Sequence, residues 1–232
     1  MRRVLDVARI QTVNWLPIFG WPLVILVIAL LFNIVILGAI RDTAPPEGSN
    51  NGALMSIYIG LLIAHLQTMT QVFPFALGMS VTRRAFYAGT ALLVLAQAAV
   101  FGVLMVLLDL VENATGGWGL GIRFFGLPFL VQSNVFAQWL AFTVPLIAVS
   151  AVGVFAGVVF KRWGSPGVYT AGVGSSLLFG GLAVLITWQR WWPAVGSFFT
   201  SQSTLVLLTV YPLLIALVLG GAGWVAIRRA TP

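Results

Sequence analysis

The chain has 232 residues, 60% of them hydrophobic and 7% charged, with a mean hydropathy of +1.04 and a formal net charge of +7. Soluble domains carry roughly 25% charged residues, so too little polar sequence remains here to clothe a soluble core, and the chain reads as an integral membrane protein. The basic residues come in pairs at the ends of apolar runs, which matches the charge asymmetry of membrane topology and excludes a nucleic-acid surface, while the lack of cysteine excludes disulfides and thiol ligands.

At the start, Arg2, Arg3, Asp6 and Arg9 share one arc of a helical wheel, with Val4, Leu5, Val7 and Ala8 opposite. This pattern predicts an interfacial helix within residues 2–20, with Pro17 and Pro22 marking the turn into the membrane. Taking about 20 apolar residues to cross a hydrocarbon core, six spans follow at 21–40, 53–75, 86–108, 135–160, 169–188 and 205–227. The runs are continuous and do not alternate as barrel strands do, so the expected fold is all-α: six transmembrane helices in one domain, 1–232. The first span is too long for a signal-peptide core and no small-residue cleavage pattern follows it, so it is expected to be retained.

Nine of the twelve basic residues (Arg2, Arg3, Arg9, Arg83, Arg84, Lys161, Arg162, Arg228 and Arg229) fall on one side of this topology. The other side holds Arg41, Arg123 and Arg190 with the acids Asp42, Glu47, Asp109 and Glu112. Both termini are therefore expected in the cytoplasm. Of the external connections, 109–134 is rich in glycine and aromatic residues and is expected to fold against the outer surface. The second, 189–204, with Trp191, Trp192 and Phe198, suits an interfacial or re-entrant segment, or an aromatic belt with no role in transport.

No catalytic constellation is present: there is one histidine, no paired carboxylates within a span, and no Gly-rich phosphate loop followed by Lys and Ser or Thr. The chain is expected not to be an enzyme. His65 lies near the middle of the second span, with Thr68 and Met69 one turn on and Gln67 and Gln71 on a neighbouring face. It either lines a substrate path or relays a proton, or is a neutral histidine hydrogen-bonded to a neighbouring helix. Asn33 and Gln97 carry the same two readings, and Asn33, His65, Met69 and Gln97 form the candidate substrate path. Gly153 and Gly157, four apart, predict close approach of another helix, and Pro145 and Pro212 predict kinks.

Between the second and third expected spans stands Leu77-Gly78-Met79-Ser80-Val81-Thr82-Arg83-Arg84-Ala85-Phe86-Tyr87-Ala88-Gly89. Together with the amphipathic start and six spans, this segment resembles the permease subunit of an ABC-2 type ABC transporter. Small bacterial members of that family carry Leu-Gly-x-Ser-x-x-Arg-Arg-x-Phe-x-x-Gly at this place, matched by Leu77, Gly78, Ser80, Arg83, Arg84, Phe86 and Gly89. Arg123 to Phe129 and Lys161 to Gly164 give a second match.

The resemblance implies a bacterial plasma (inner) membrane exporter of a hydrophobic or amphipathic drug, lipid or peptide. It implies a separate ATPase subunit holding ATP and Mg, and pairing with a second permease copy or a related permease. It further implies a connecting helix at 2–20, a cytoplasmic coupling segment at 76–85, and a coupling helix from Leu77 to Phe86, including Thr82. Many larger relatives carry their folded external segment between the fifth and sixth spans, whereas here the longer loop follows the third. Two other readings stand beside it: a non-transporting scaffold or immunity protein, and an ion-coupled transporter or channel, which sparse mid-membrane charge counts against.

Overall fold

A computed structural model describes residues 2–13, 15–40 and 54–228. The expected start of the second span at Ala53, and Arg41, Asp42, Glu47 and Arg229, lie outside the described residues. Every regular element described is helical. In chain order these are α1 (Arg2–Val13), a π-turn (Leu16–Gly20) running into α2 (Trp21–Ala39), α3 (Met55–Gln67), a π-turn (Thr68–Val72) running into α4 (Phe73–Gly78), and α5 (Arg83–Ala114). There follow a π-turn (Gly117–Gly121), α6 (Val135–Trp188), α7 (Trp192–Ser201) and α8 (Thr204–Ile227). Five runs are long and apolar enough to cross a membrane: Leu16–Ala39, Met55–Gly78, Arg83–Ala114, Val135–Trp188 and Thr204–Ile227.

Several expected boundaries move. The helix expected at the interface stops at Val13, and 16–20 belongs to the first membrane-length run, not to a connecting helix over 2–20. Pro17 and Pro22 stand in the first turns of the π-turn and of α2, positions where proline is tolerated, so the run passes through both. The third membrane-length helix begins at Arg83 and continues through Asp109 to Ala114, so 109–114 is helix rather than external loop. Likewise 189–204 is mostly the helix α7.

The largest change is α6. At 54 residues it would be about 81 Å long at about 1.5 Å per residue, far beyond a hydrocarbon core of about 30 Å. Gly164, at φ 68° and ψ −163°, breaks it into helical stretches 135–163 and 165–188. The eight-residue connection expected at 161–168 is thus reduced to one residue, and Lys161, Arg162 and Trp163 are helical. Pro145 lies within the helical stretch before this break.

Apolar side chains meeting lipid carry no penalty, so close approach and hydrogen bonds, more than burial from water, fix the packing. The expected contact of Gly153 and Gly157 is made with α3 and its π-turn: side chains built on these glycines would collide with the Leu62 carbonyl and with Met69. Around it lie two clusters. One joins Leu26, Ile57, Leu61, Phe101, Met105, Phe142 and Leu146 to Phe124 and Phe125 of the α5–α6 connection. The other joins Val7 of α1 to Met69, Phe73, Phe86, Tyr87, Val158 and Ile227. Beyond Gly164 the character changes. Leu177, Phe179, Val184 and Trp188 are all exposed, and α8 buries little beyond Ala216, Gly223, Ala226 and Ile227.

Candidate functional site

The segment between α4 and α5 is not a helix of its own, contrary to the expected coupling helix from Leu77 to Phe86. Leu77 and Gly78 close α4; Ser80 N–H then donates to Leu77 O (3.0 Å) and Val81 N–H to Ala76 O (3.1 Å). This pair of bonds is a Schellman ending, with Ser80 at φ 61° in the left-handed position that usually takes glycine. Thr82 is extended, and its hydroxyl accepts from Ala85 N–H at 3.2 Å, capping α5. A tight corner therefore replaces the expected helix, because two successive capping devices use up the intervening residues.

The two arginines are divided by this corner. Arg83 Nη1 donates to the carbonyl of Arg228 at the end of α8 (3.0 Å), and Tyr87, one turn on, donates its hydroxyl hydrogen to Gly220 O (2.7 Å). A cation at a helix C-terminus is favourable, so Arg83 is a strap on α8. Arg84 is exposed. Phe86 is fully enclosed against Phe73, ring centroids 5.2 Å apart.

Alongside the corner lies α1. Val7 packs against Gly89, and Gln11 Nε2 donates to Thr90 Oγ1 at 3.0 Å. A cleft of about 270 Å³ separates α1 from the corner, bounded by Asp6, Ile10, Ser80 and Thr82. Asp6, Arg9, Met79 and Arg84 are exposed on this block.

No family model, curated protein or solved structure significantly matches this chain.

Of the candidate path residues, His65, Met69 and Gln97 are each 0% exposed. Met69 packs against Gly157, and Asn33 turns back on its own helix, donating to Ala29 O (2.8 Å). His65 and Gln97 are brought together, yet both ring nitrogens and Gln97 Oε1 lack a partner of hydrogen-bond geometry. Gln97 Nε2 instead donates to Ile18 O at 2.5 Å.

A further centre escaped the sequence reading. Glu112, 2% exposed, accepts from Trp118 Nε1 (2.9 Å) and from the N–H groups of Phe124 (2.9 Å), Phe125 (3.1 Å) and Gly126 (2.8 Å). One carboxylate thereby holds the α5–α6 connection and seats Phe124 and Phe125 in the core. The one hint in the sequence is a pair of acids, Asp109 and Glu112, at the end of an apolar run ahead of a glycine- and aromatic-rich stretch.

Proposed function

We propose that the chain is the permease subunit of an ATP-driven exporter of ABC-2 type, moving a hydrophobic or amphipathic drug, lipid or peptide out of the bacterial cytoplasm. The observation that carries this reading is the block formed by α1 and the α4–α5 corner. It is small, rigid by its own bonds, and strapped through Arg83 to α8 and through Gln11 to α5. Force applied at Met79 or Arg84 would be delivered directly to two membrane-length helices. In this reading Leu77, Gly78, Ser80 and Thr82 shape the corner, Phe86 anchors it, and Arg84 meets the ATPase.

With Gly164 counted as a reversal, the helical runs make six passes, both termini share the side of Arg83 and Arg84, and the chain is a multi-pass protein of the inner membrane. ATP and Mg belong to the separate ATPase subunit. The apolar surface of 165–188 and α8 is available to a second permease copy or a related permease.

The test is co-purification of the chain with ATPase subunits encoded beside it, and ATP hydrolysis by the assembly. Arg84→Glu should lose association or coupling while the chain still inserts and unfolds at the wild-type temperature. If no ATPase associates, or if hydrolysis and transport ignore Arg84→Glu in a folded chain, the reading fails.

A further inference from the structure

Two of the π-turns border one groove. Leu16–Gly20 closes with Trp21 N–H on Leu16 O, and Thr68–Val72 closes with Phe73 N–H on Thr68 O. Each widened turn carries one residue more than an α-helical turn, and such turns concentrate at functional sites. Pro17 and Ile18 from the first, and Thr68 and Gln71 from the second, face a groove of about 320 Å³ that α1 closes on the third side with Ile10 and Gln11. That volume is at the lower end of the roughly 300–1,000 Å³ of ligand pockets.

The chemistry of the lining is specific. Among the described residues Gln11, Gln67, Thr68 and Gln71 contribute, and no charged side chain does. Gln11 is held by Thr90, and the Thr68 hydroxyl by Ala64 O (3.0 Å). Gln67 and Gln71, four apart on one helix face, are half-buried and exposed, and among the described residues neither side-chain amide finds a hydrogen-bond partner. Two amide groups offering donors and acceptors without charge suit an uncharged, hydroxyl-rich group; a phosphate would find no cation among the described lining residues. The groove opens past Val13 and Phe75, which are 82% and 64% exposed. An apolar chain leaving the groove would lie along these two side chains.

We infer that this groove binds a membrane lipid with an uncharged sugar or polyol head, taken from the leaflet in which α1 lies. The head sits on Gln67 and Gln71 and the acyl chains run out past Phe75. The inference requires only that the helices span a membrane, and it stands or falls separately from the exporter reading.

The test is photolabelling of the purified chain in phosphatidylcholine liposomes. These contain a small fraction of glucosyl-diacylglycerol, phosphatidylglycerol or phosphatidylcholine, each with the same diazirine-bearing acyl chain, and adducts are mapped by mass spectrometry. The glucosyl lipid should label residues 10–18 and 64–75 preferentially. Gln67→Leu/Gln71→Leu should cut that label about tenfold, as expected for two lost hydrogen bonds, while Gln67→Asn/Gln71→Asn keeps part of it. Labelling elsewhere on the chain serves as the internal control for folding. The proposal is overturned if phosphatidylglycerol labels these residues equally, if the leucine pair changes nothing, or if free glucose displaces the label, which would mark a soluble sugar in place of a lipid.

Discussion

Gln97 donates a 2.5 Å hydrogen bond to the carbonyl of Ile18, which in α-helical register is the acceptor for residue 22, a proline with no N–H to give. A side chain on α5 thus repairs a defect made by a proline of α2. Gln97→Leu should destabilise the chain by about 1–3 kcal/mol, because a buried carbonyl is orphaned. In a Pro22→Ala background, where residue 22 regains its N–H, the same substitution should cost clearly less. Reversible unfolding in bicelles over the four variants measures the difference; equal costs in both backgrounds would refute the relationship.

The adjacent arginines should separate in experiment. Arg83→Ala removes a charge-assisted bond at a half-exposed helix end and should lower stability by about 1 kcal/mol, with faster amide exchange confined to the last turns of α8. Arg84→Ala should leave stability within about 0.5 kcal/mol. Exchange that rises equally in both variants would contradict the division.

Removing the Glu112 carboxylate leaves three backbone N–H groups and the Trp118 indole with no acceptor. Glu112→Ala should therefore cost about 3 kcal/mol and open the α5–α6 connection. Limited proteolysis should cut within 115–131 in the variant and spare the wild type. Unchanged resistance would mean that Phe124 and Phe125 hold the connection without the carboxylate.

Two positive-φ residues should respond with opposite signs. Gly164, at φ 68° and ψ −163°, occupies a region open essentially to glycine alone, so Gly164→Ala should cost about 1–3 kcal/mol. Ser80, at φ 61°, stands where glycine is the preferred residue, so Ser80→Gly should be neutral or stabilise by up to about 1 kcal/mol. Both are read from unfolding midpoints in the same detergent.

The helical membrane class was legible because sixty apolar residues in every hundred leave no other solvent for the chain. The approach of Gly153 and Gly157 was legible because a four-residue spacing fixes one helix face whatever the partner. Helix ends were less so. Asp109 and Glu112 look like loop acids by charge, yet α5 runs past both, since Glu112 exchanges water for four protein donors. The signature of that exchange is invisible because three of those donors are backbone amides, which every sequence possesses. Gln97 carries two readings in the sequence, a path or a bond to a neighbouring element, and it makes a bond to a carbonyl 79 residues earlier, a backbone partner that no sequence pattern names. At the α4–α5 corner the sequence marked an interruption between two apolar runs but not its conformation, because Ser80 takes a glycine's place in the turn.

The break at Gly164 leaves two kinds of sequence constraint in one chain. Before it, Phe142 and Leu146 are enclosed on every side, so their shapes are dictated by neighbours fixed elsewhere in the same polypeptide. After it, Leu177, Phe179 and Val184 touch little of their own chain, and what selects them is the medium or the assembly around them. Exchange among apolar residues should accordingly drift freely in 165–188 for the isolated chain and be arrested in 135–163. The molecule is thus half self-specified, with the remainder of its sequence written by its surroundings.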